Sequence, residues 1–377
     1  MSINQIIVDV MVVFMVIAAI DRCLGNRFGL GAELDKGLDA IGPMCIPMVG
    51  MILLAPMIGD VLTPLVSPFF HMLGADPAMF ATAILACDMG GYSLAISMAS
   101  TPEAGQFAGC ILGCSLGGAI SFLIPVGTSM VRKDYHPCFA VGVLAGIVTV
   151  PIGLVVGGIA AGYDLSMVLH NTLPILILSL AIALGLWWAQ DACIRLFAIL
   201  GRLLVAVATI GFAIGIIQEL TPLVVIPGLT SVLDGVKVVG SVAIVLCGAY
   251  PMLYIITSVW RGPIRRLGHT MGIDQNATAS IFAGLANIMP ILGQCNNMSP
   301  AGVTVALAFA VSGSCMFGDH LGFIASVDQS MIVPMILSKI AGCLTATALA
   351  VLLCKRNHYS NKHVPEPIPE QQPEALF

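Results

Sequence analysis

Long apolar runs, interrupted at a few places by polar and helix-breaking residues, set the pattern of this chain. Eleven runs can be marked, near 3–21, 38–58, 76–99, 103–130, 137–161, 167–189, 192–218, 236–259, 275–297, 300–318 and 330–354. Each is continuous rather than alternating, as membrane-spanning helices require and barrel strands do not allow. Two amphipathic pieces, 61–73 and 260–272, are too short to span. The first run lacks a basic start, and Asp21-Arg22-Cys23 follows it where a signal peptide would carry small residues. It therefore reads as a retained span. From about Lys355 the chain turns polar, with Pro365, Pro367, Pro369 and Pro373, which predicts a short disordered cytoplasmic tail over 355–377.

Two runs are broken at their centres. Cys87-Asp88-Met89-Gly90-Gly91 interrupts 76–99, and Asn287-Ile288-Met289-Pro290 interrupts 275–297. Adjacent glycines weaken a helix, and proline removes a donor from it. Loop charge decides how these two runs are counted, because Lys and Arg gather on the cytoplasmic side. If all eleven runs cross, the bias disappears. If the two broken runs enter and return on the same side, twelve Lys and Arg flank the cytoplasmic face and only Lys237 the outer one. The pattern therefore predicts an all-α polytopic membrane protein. It has about nine crossing helices and two re-entrant helical hairpins, with its N-terminus outside and its C-terminus cytoplasmic.

The runs also repeat at an offset of 198 residues. Span 3–21 overlays 201–219, the piece 71–76 (HMLGAD) overlays 269–274 (HTMGID), and Pro102 overlays Pro300. This predicts a first repeat over 1–162, a linking helix over 163–190 and a second repeat over 191–354, ahead of the 355–377 tail. Hairpins that enter from opposite faces would give the halves inverted topology, a hallmark of secondary transporters.

Composition agrees and excludes other classes. Of 377 residues, 58% are apolar and 9% charged, with a net charge of −5. Such a chain cannot clothe a soluble domain, and it carries no basic stripe for nucleic acid. There is no nucleotide-binding motif, no loop large enough for a catalytic domain and no recognisable metal-ligand spacing. An enzyme, a cofactor and a metal are not expected. The twelve cysteines, with Cys110 and Cys114 four apart in a glycine-rich run, read as small buried hydrophobes.

Polar residues inside the runs are the candidate chemistry. Asp88 is an acid in a membrane break, suited to a cationic substrate or a coupling ion, or else to capping the turn. Asn287, Gln294, Asn296 and Asn297 bring amides that donate and accept, as a small hydroxyl-bearing ligand needs, though helix–helix bonding would use them equally well. Tyr92 and Ser93 lie beside the first break. Asp319 and His320 could relay protons or bind an ion, or equally form an interfacial pair at a helix end. Asp88 and Asp319 would also suit a proton-sharing intramembrane hydrolase, a reading that the motif context does not support. Arg202 and Lys339 read as snorkelling to the cytoplasmic side. Gly105, Gly109, Gly113 and Gly117 form one small face for close helix packing, within or between chains.

Several stretches together resemble the ethanolamine permeases of bacterial ethanolamine-utilisation operons, the EutH family. They are 14-FMVIAAIDR-22, 85-LACDMGGY-92, 140-AVGVLAGIVTVPIG-153, 247-CGAYPM-252, 284-GLANIMPILG-293, 309-FAVSGSCMFGDHLGF-323 and 331-MIVPMI-336. The resemblance covers nearly the whole chain, which is shorter after spans 1 and 5 and between Pro227 and Val236. It implies a multi-pass protein of the bacterial inner membrane that takes up ethanolamine, with membrane lipid as its surroundings and a homo-oligomer left open. Ethanolamine is a protonated amine at neutral pH, as Lys is. Asp88 would hold its ammonium, and Asn287 or a nearby hydroxyl its alcohol. The alternative is a channel-like facilitator for small amino alcohols or ammonium-type cations.

Overall fold

The computed structural model describes residues 3–259 and 261–356. Most of the expected tail, 357–377, lies outside the described residues. Helices account for the architecture, and the described residues contain no strand. Eight helices are long and apolar enough to cross a membrane: α1 (Ile3–Cys23), α2 (Leu30–Met72), α5 (Pro102–Met130), α6 (Lys133–Ala160), α7 (Leu165–Trp188), α8 (Gln190–Leu220), α9 (Val232–Val259) and α15 (Ile332–Arg356). The polytopic all-α class is as the sequence predicts.

Both broken runs are discontinuous. The first consists of α3 (Ala78–Ile84) and α4 (Gly91–Met98), the second of α11 (Gln275–Gly284) and α12 (Met289–Gln294). Between α9 and α11 lies the short helix α10 (Arg261–Met271).

Two expectations change. The run 38–58 and the piece 61–73 are not separate, because a single 43-residue helical stretch covers both. It tolerates Pro56, Pro64 and Pro68 in its interior and contains a wide π-turn segment at Cys45–Val49, the usual adjustment where the regular hydrogen-bond ladder is disturbed. The ninth expected crossing, 300–318, is itself broken. Its helix α13 (Pro300–Gly313) ends early, Ser314–Gly318 is unwound, and α14 (Asp319–Val327) resumes.

Burial ranks the helices. In α5, 89% of the most apolar window is buried inside the protein, against 11% in α1. Helix α5 is thus the centre of the bundle and α1 part of its lipid-facing shell. The four glycines of α5 do not face another chain; they carry the first hairpin. Gly105 faces Ile96, Gly109 faces Tyr92, and Gly113 faces Thr82 and Cys87. A Cβ on Gly117 would lie 2.0 Å from the Leu85 carbonyl oxygen, so this crossing requires glycine.

The ends of both discontinuous elements are built alike. Thr101 Oγ1 accepts from Ala104 N ahead of Pro102, and Ser299 Oγ accepts from Gly302 N ahead of Pro300. A hydroxyl cap followed by proline at the first helical position is a strong helix start. An aspartate closes each hairpin at its foot. Asp76 accepts from Ala78 N and, at 2.9 Å, from Ser100 N across the hairpin. Asp274 accepts from Ala277 N and, at 2.8 Å, from Ser299 N. Asp76 and Asp274 are 198 residues apart.

Candidate functional site

Three unwound segments meet in the middle of the bundle. In the first, Leu85 and Ala86 are extended, Cys87–Met89 forms one tight turn, and Gly90 follows at φ 86°. Only glycine takes that conformation freely, and a Cβ there would strike Met51. In the second, Leu285 to Ile288 separates α11 from α12, with Pro290 in the first turn of α12. The third is Ser314–Gly318. It runs beside the second and satisfies its freed carbonyls: Cys315 N donates to Gly284 O, Phe317 N to Leu285 O and Asp319 N to Ala286 O. Unwound backbone at membrane depth needs such partners. Gly318 sits so close to Ala286 that a Cβ would fall 1.9 Å from its carbonyl oxygen.

These breaks line one cavity of about 390 Å³. Asp88 enters from the first break, Asn287 from the second, and Asp319 and His320 from the residues after the third. Tyr250 of α9, Ser115 of α5 and Ser314 of the third break complete its polar lining, while Pro43, Met44 and Phe122 contribute to its apolar wall.

The two carboxylates are held differently. Tyr250 Oη donates to Asp319 Oδ1 at 2.5 Å, and Asn287 Nδ2 donates to Asp319 Oδ2 at 2.6 Å. Asn287 Oδ1 in turn accepts from Met289 N at 2.8 Å, which fixes the amide's orientation. Asp319 also opens α14, where the helix end favours an acid. Asp88 has no such scaffold: among the described residues, no hydrogen bond joins its carboxylate to another residue. A carboxylate is an acceptor only, so Asp88 presents acceptor capacity to the cavity. These bonds link neither acid to the other, so the geometry does not build a shared-proton dyad.

His320 and Lys339 form a second buried group. Lys339 is not a snorkelling residue but fully buried. Its Nζ donates to the Cys114 carbonyl at 2.5 Å and pairs with His320 Nδ1 at 2.9 Å. Its position in α15 faces α5 and α14, so no path to the interface is open to it. Cys87, Cys114 and His320 each offer a ligand atom within 4.8 Å of the others. With Lys339 already on His320 Nδ1, a cation stands beside this trio and one ring nitrogen is occupied. The Cys114 thiol donates to Cys87 Sγ at 3.2 Å. The trio packs behind the cavity.

The remaining candidates stand away from the cavity. Tyr92 packs edge-on against Phe323 with ring centroids 5.7 Å apart, and Ser93 follows it on α4 without lining the cavity. Asn296 accepts from Arg132 N and donates to Met130 O, which ties the second hairpin to the end of α5. Gln294 accepts from Asn297 Nδ2 at 3.2 Å, a local bond at the hairpin's return. Tyr250, Ser115 and Lys339 join the site without a break or motif of their own in the sequence. Tyr250 lies inside 247-CGAYPM-252, where its polar head was the one available signal.

A family model described as ethanolamine utilisation protein, EutH, matches residues 3–353. The chain belongs to the EutH family. Among EutH relatives, a Listeria monocytogenes protein named probable ethanolamine permease EutH is 45% identical over 362 residues, covering 96% of this chain and 97% of that one. An Escherichia coli protein of the same name is 37% identical, covering 94% of this chain and 96% of its own. A Bacillus subtilis protein, YxeR, described as uncharacterized, is 43% identical over 93% of this chain and 95% of its own. No solved structure matches the chain.

Proposed function

We propose that this EutH-family protein is a permease, not an enzyme, that carries ethanolamine across the bacterial inner membrane. The observation that carries the reading is the meeting of both hairpin breaks in one cavity, where Asp88, whose carboxylate bonds to no other described residue, faces a fixed polar network of Tyr250, Asp319 and Asn287. A protonated amino alcohol matches that division. Its ammonium pairs with Asp88, and its hydroxyl meets the network, which holds both donors and acceptors. A cation in hydrocarbon needs such a route.

The mechanism we favour is alternating access between two halves, 1–162 and 191–354, joined by 163–190, with the N-terminus outside and the C-terminus cytoplasmic. The matched foot clamps, Asp76 and Asp274, and the matched cap–proline starts, Thr101-Pro102 and Ser299-Pro300, support a repeat of this kind. The bias of twelve basic flanking residues against one supports the inverted orientation. The test is uptake of labelled ethanolamine by proteoliposomes at acidic pH and low substrate concentration. Saturable uptake with counterflow is expected. Uptake no greater than that of empty liposomes would overturn the substrate, and saturable uptake without counterflow would move the protein to the channel-like reading.

A further inference from the structure

Two thiols meet behind the cavity, at the point where the first hairpin crosses α5. Cys87 opens the tight turn that carries Asp88, and Cys114 lies on α5. Both are buried, and their sulfurs are 3.2 Å apart. The two residues are 27 positions apart in the chain, so the contact is made by the packing of hairpin on helix and not by local sequence. All twelve cysteines are free thiols.

Glycine lets the two approach. A Cβ on Gly113, the neighbour of Cys114, would lie 3.1 Å from Cys87 N and 3.2 Å from Cys87 Cα. Hairpin and helix therefore touch at the level of the backbone. Ala86 N also donates to Ser121 Oγ of α5 at 3.2 Å, which seats the residue before Cys87 on the same helix. A disulfide needs a bond of about 2.05 Å between the sulfurs, so closing the gap draws the turn toward α5 by about 1 Å. A small oxidant has a route to the pair. Ala86 and Asp88, which flank Cys87, line the cavity, as does Ser115, which follows Cys114. On both elements the thiol is one residue removed from the cavity wall.

We propose that Cys87 and Cys114 are an oxidative modification site: hydrogen peroxide entering through the cavity joins them in a disulfide, which draws the first hairpin onto α5 and displaces Asp88 from its ligand. In the first step one thiol releases its proton and its sulfur attacks a peroxide oxygen. The O–O bond breaks, a sulfenic acid forms, and the leaving hydroxide takes the proton to become water. The sulfur of the other thiol then attacks the sulfenic sulfur. The S–O bond breaks as the S–S bond forms, and the hydroxide leaves with the second thiol proton as another water. Two electrons pass from the sulfurs to one peroxide. A small dithiol reverses the bond by exchange. The effect on uptake, though not the bond itself, rests on the reading that Asp88 takes the substrate ammonium.

The experiment treats proteoliposomes holding the full chain with hydrogen peroxide, washes them and divides them. One half is alkylated, digested and mapped for cross-linked peptides by mass spectrometry. The other is assayed for labelled ethanolamine uptake before and after dithiothreitol. A peptide pair joined through Cys87 and Cys114 is expected. Uptake should fall about tenfold, since a displacement of ~1 Å in a binding group is enough for such a loss, and it should recover with dithiothreitol. Cys114→Ala should take up ethanolamine equally with and without peroxide, which separates this pair from the other thiols and the methionines; an equal fall in that variant overturns the assignment. If the variant does not fold, as judged by size-exclusion profile and Tm, the mapped bond and the dithiothreitol recovery in the wild type decide alone, because dithiothreitol does not restore oxidised methionine. A wild type that forms no such bond, or forms it with uptake unchanged, overturns the inference and leaves the permease reading standing. Absence of uptake by the untreated protein removes the permease reading and the effect on uptake with it, while the mapped bond still decides whether the site is modified.

Discussion

The two hairpins close alike at their feet and differ at their tips. At the foot of each, one aspartate caps the entering helix and accepts an amide from the returning strand of chain: Asp76 from Ser100 and Asp274 from Ser299. At the tip, the first hairpin leaves the Asp88 carboxylate without a hydrogen bond to another described residue. The second turns its polar residue, Asn287, onto a carboxylate from another helix, Asp319. Their supports differ too. The first leans on the glycine face of α5, while the second is laced by backbone hydrogen bonds to the unwound segment before α14. One scaffold therefore presents a charge, and the other holds a charge in place. A site for a small bifunctional cation needs both, because a free acid gives affinity and a fixed network gives orientation.

The comparison breaks most sharply at Asp88. Asp88→Asn removes a buried charge partner, an effect of about 2–5 kcal/mol. Ethanolamine uptake should fall roughly 30-fold or more while membrane abundance stays unchanged, as read by labelled uptake beside an immunoblot. Normal uptake would remove Asp88 from the site. Next in size is Gly117→Ala, which forces the first hairpin off α5. An overpacked core contact costs about 1–3 kcal/mol, so Tm in detergent should drop by several degrees. An unchanged Tm would mean that the hairpin does not lean on α5 as described.

Asn287→Ala frees Asp319 from one of its donors. The loss of a hydrogen bond to a charged group, about 1.5–3 kcal/mol, should lower Tm, and the loosened Asp319 should weaken apparent affinity for ethanolamine. Equal affinity would show that Asp319 is not oriented for the ligand. The smallest effect sharpens the likeness rather than the difference. Asp76→Ala and Asp274→Ala should each cost about 1 kcal/mol, the worth of a helix-start bond, and should lower Tm by similar amounts. Strongly unequal shifts would contradict matched feet.

Much of this design can be read in the sequence, because broken helices leave local marks. Gly90-Gly91 and Met289-Pro290 announce the first two breaks, and the acid and amide within them, Asp88 and Asn287, are the residues that reach the cavity. The third break was less legible. Ser312, Gly313, Ser314 and Gly318 weaken the helix there, but they sit at the end of a long apolar run, where a simple helix terminus explains them equally well. Tyr250 and Lys339 have no local signature. Each sits in an otherwise apolar helix, and its meaning comes from residues 69 and 19 positions away in the chain, Asp319 and His320. Gln294, Asn296 and Asn297 failed to reach the cavity for the opposite reason. They have the right chemistry, but α12 carries them past the break to the hairpin's return, where Asn296 secures the end of α5.

The central claim is that the two breaks build one ligand site in which Asp88 takes the ammonium. Equilibrium binding of ethanolamine to the purified protein, wild type against Asp88→Asn, tests it most directly. The account predicts saturable binding by the wild type and an affinity at least tenfold weaker in the variant, the minimum loss for a charge-assisted contact of about 1.5 kcal/mol. Equal affinities in two equally folded proteins would contradict it.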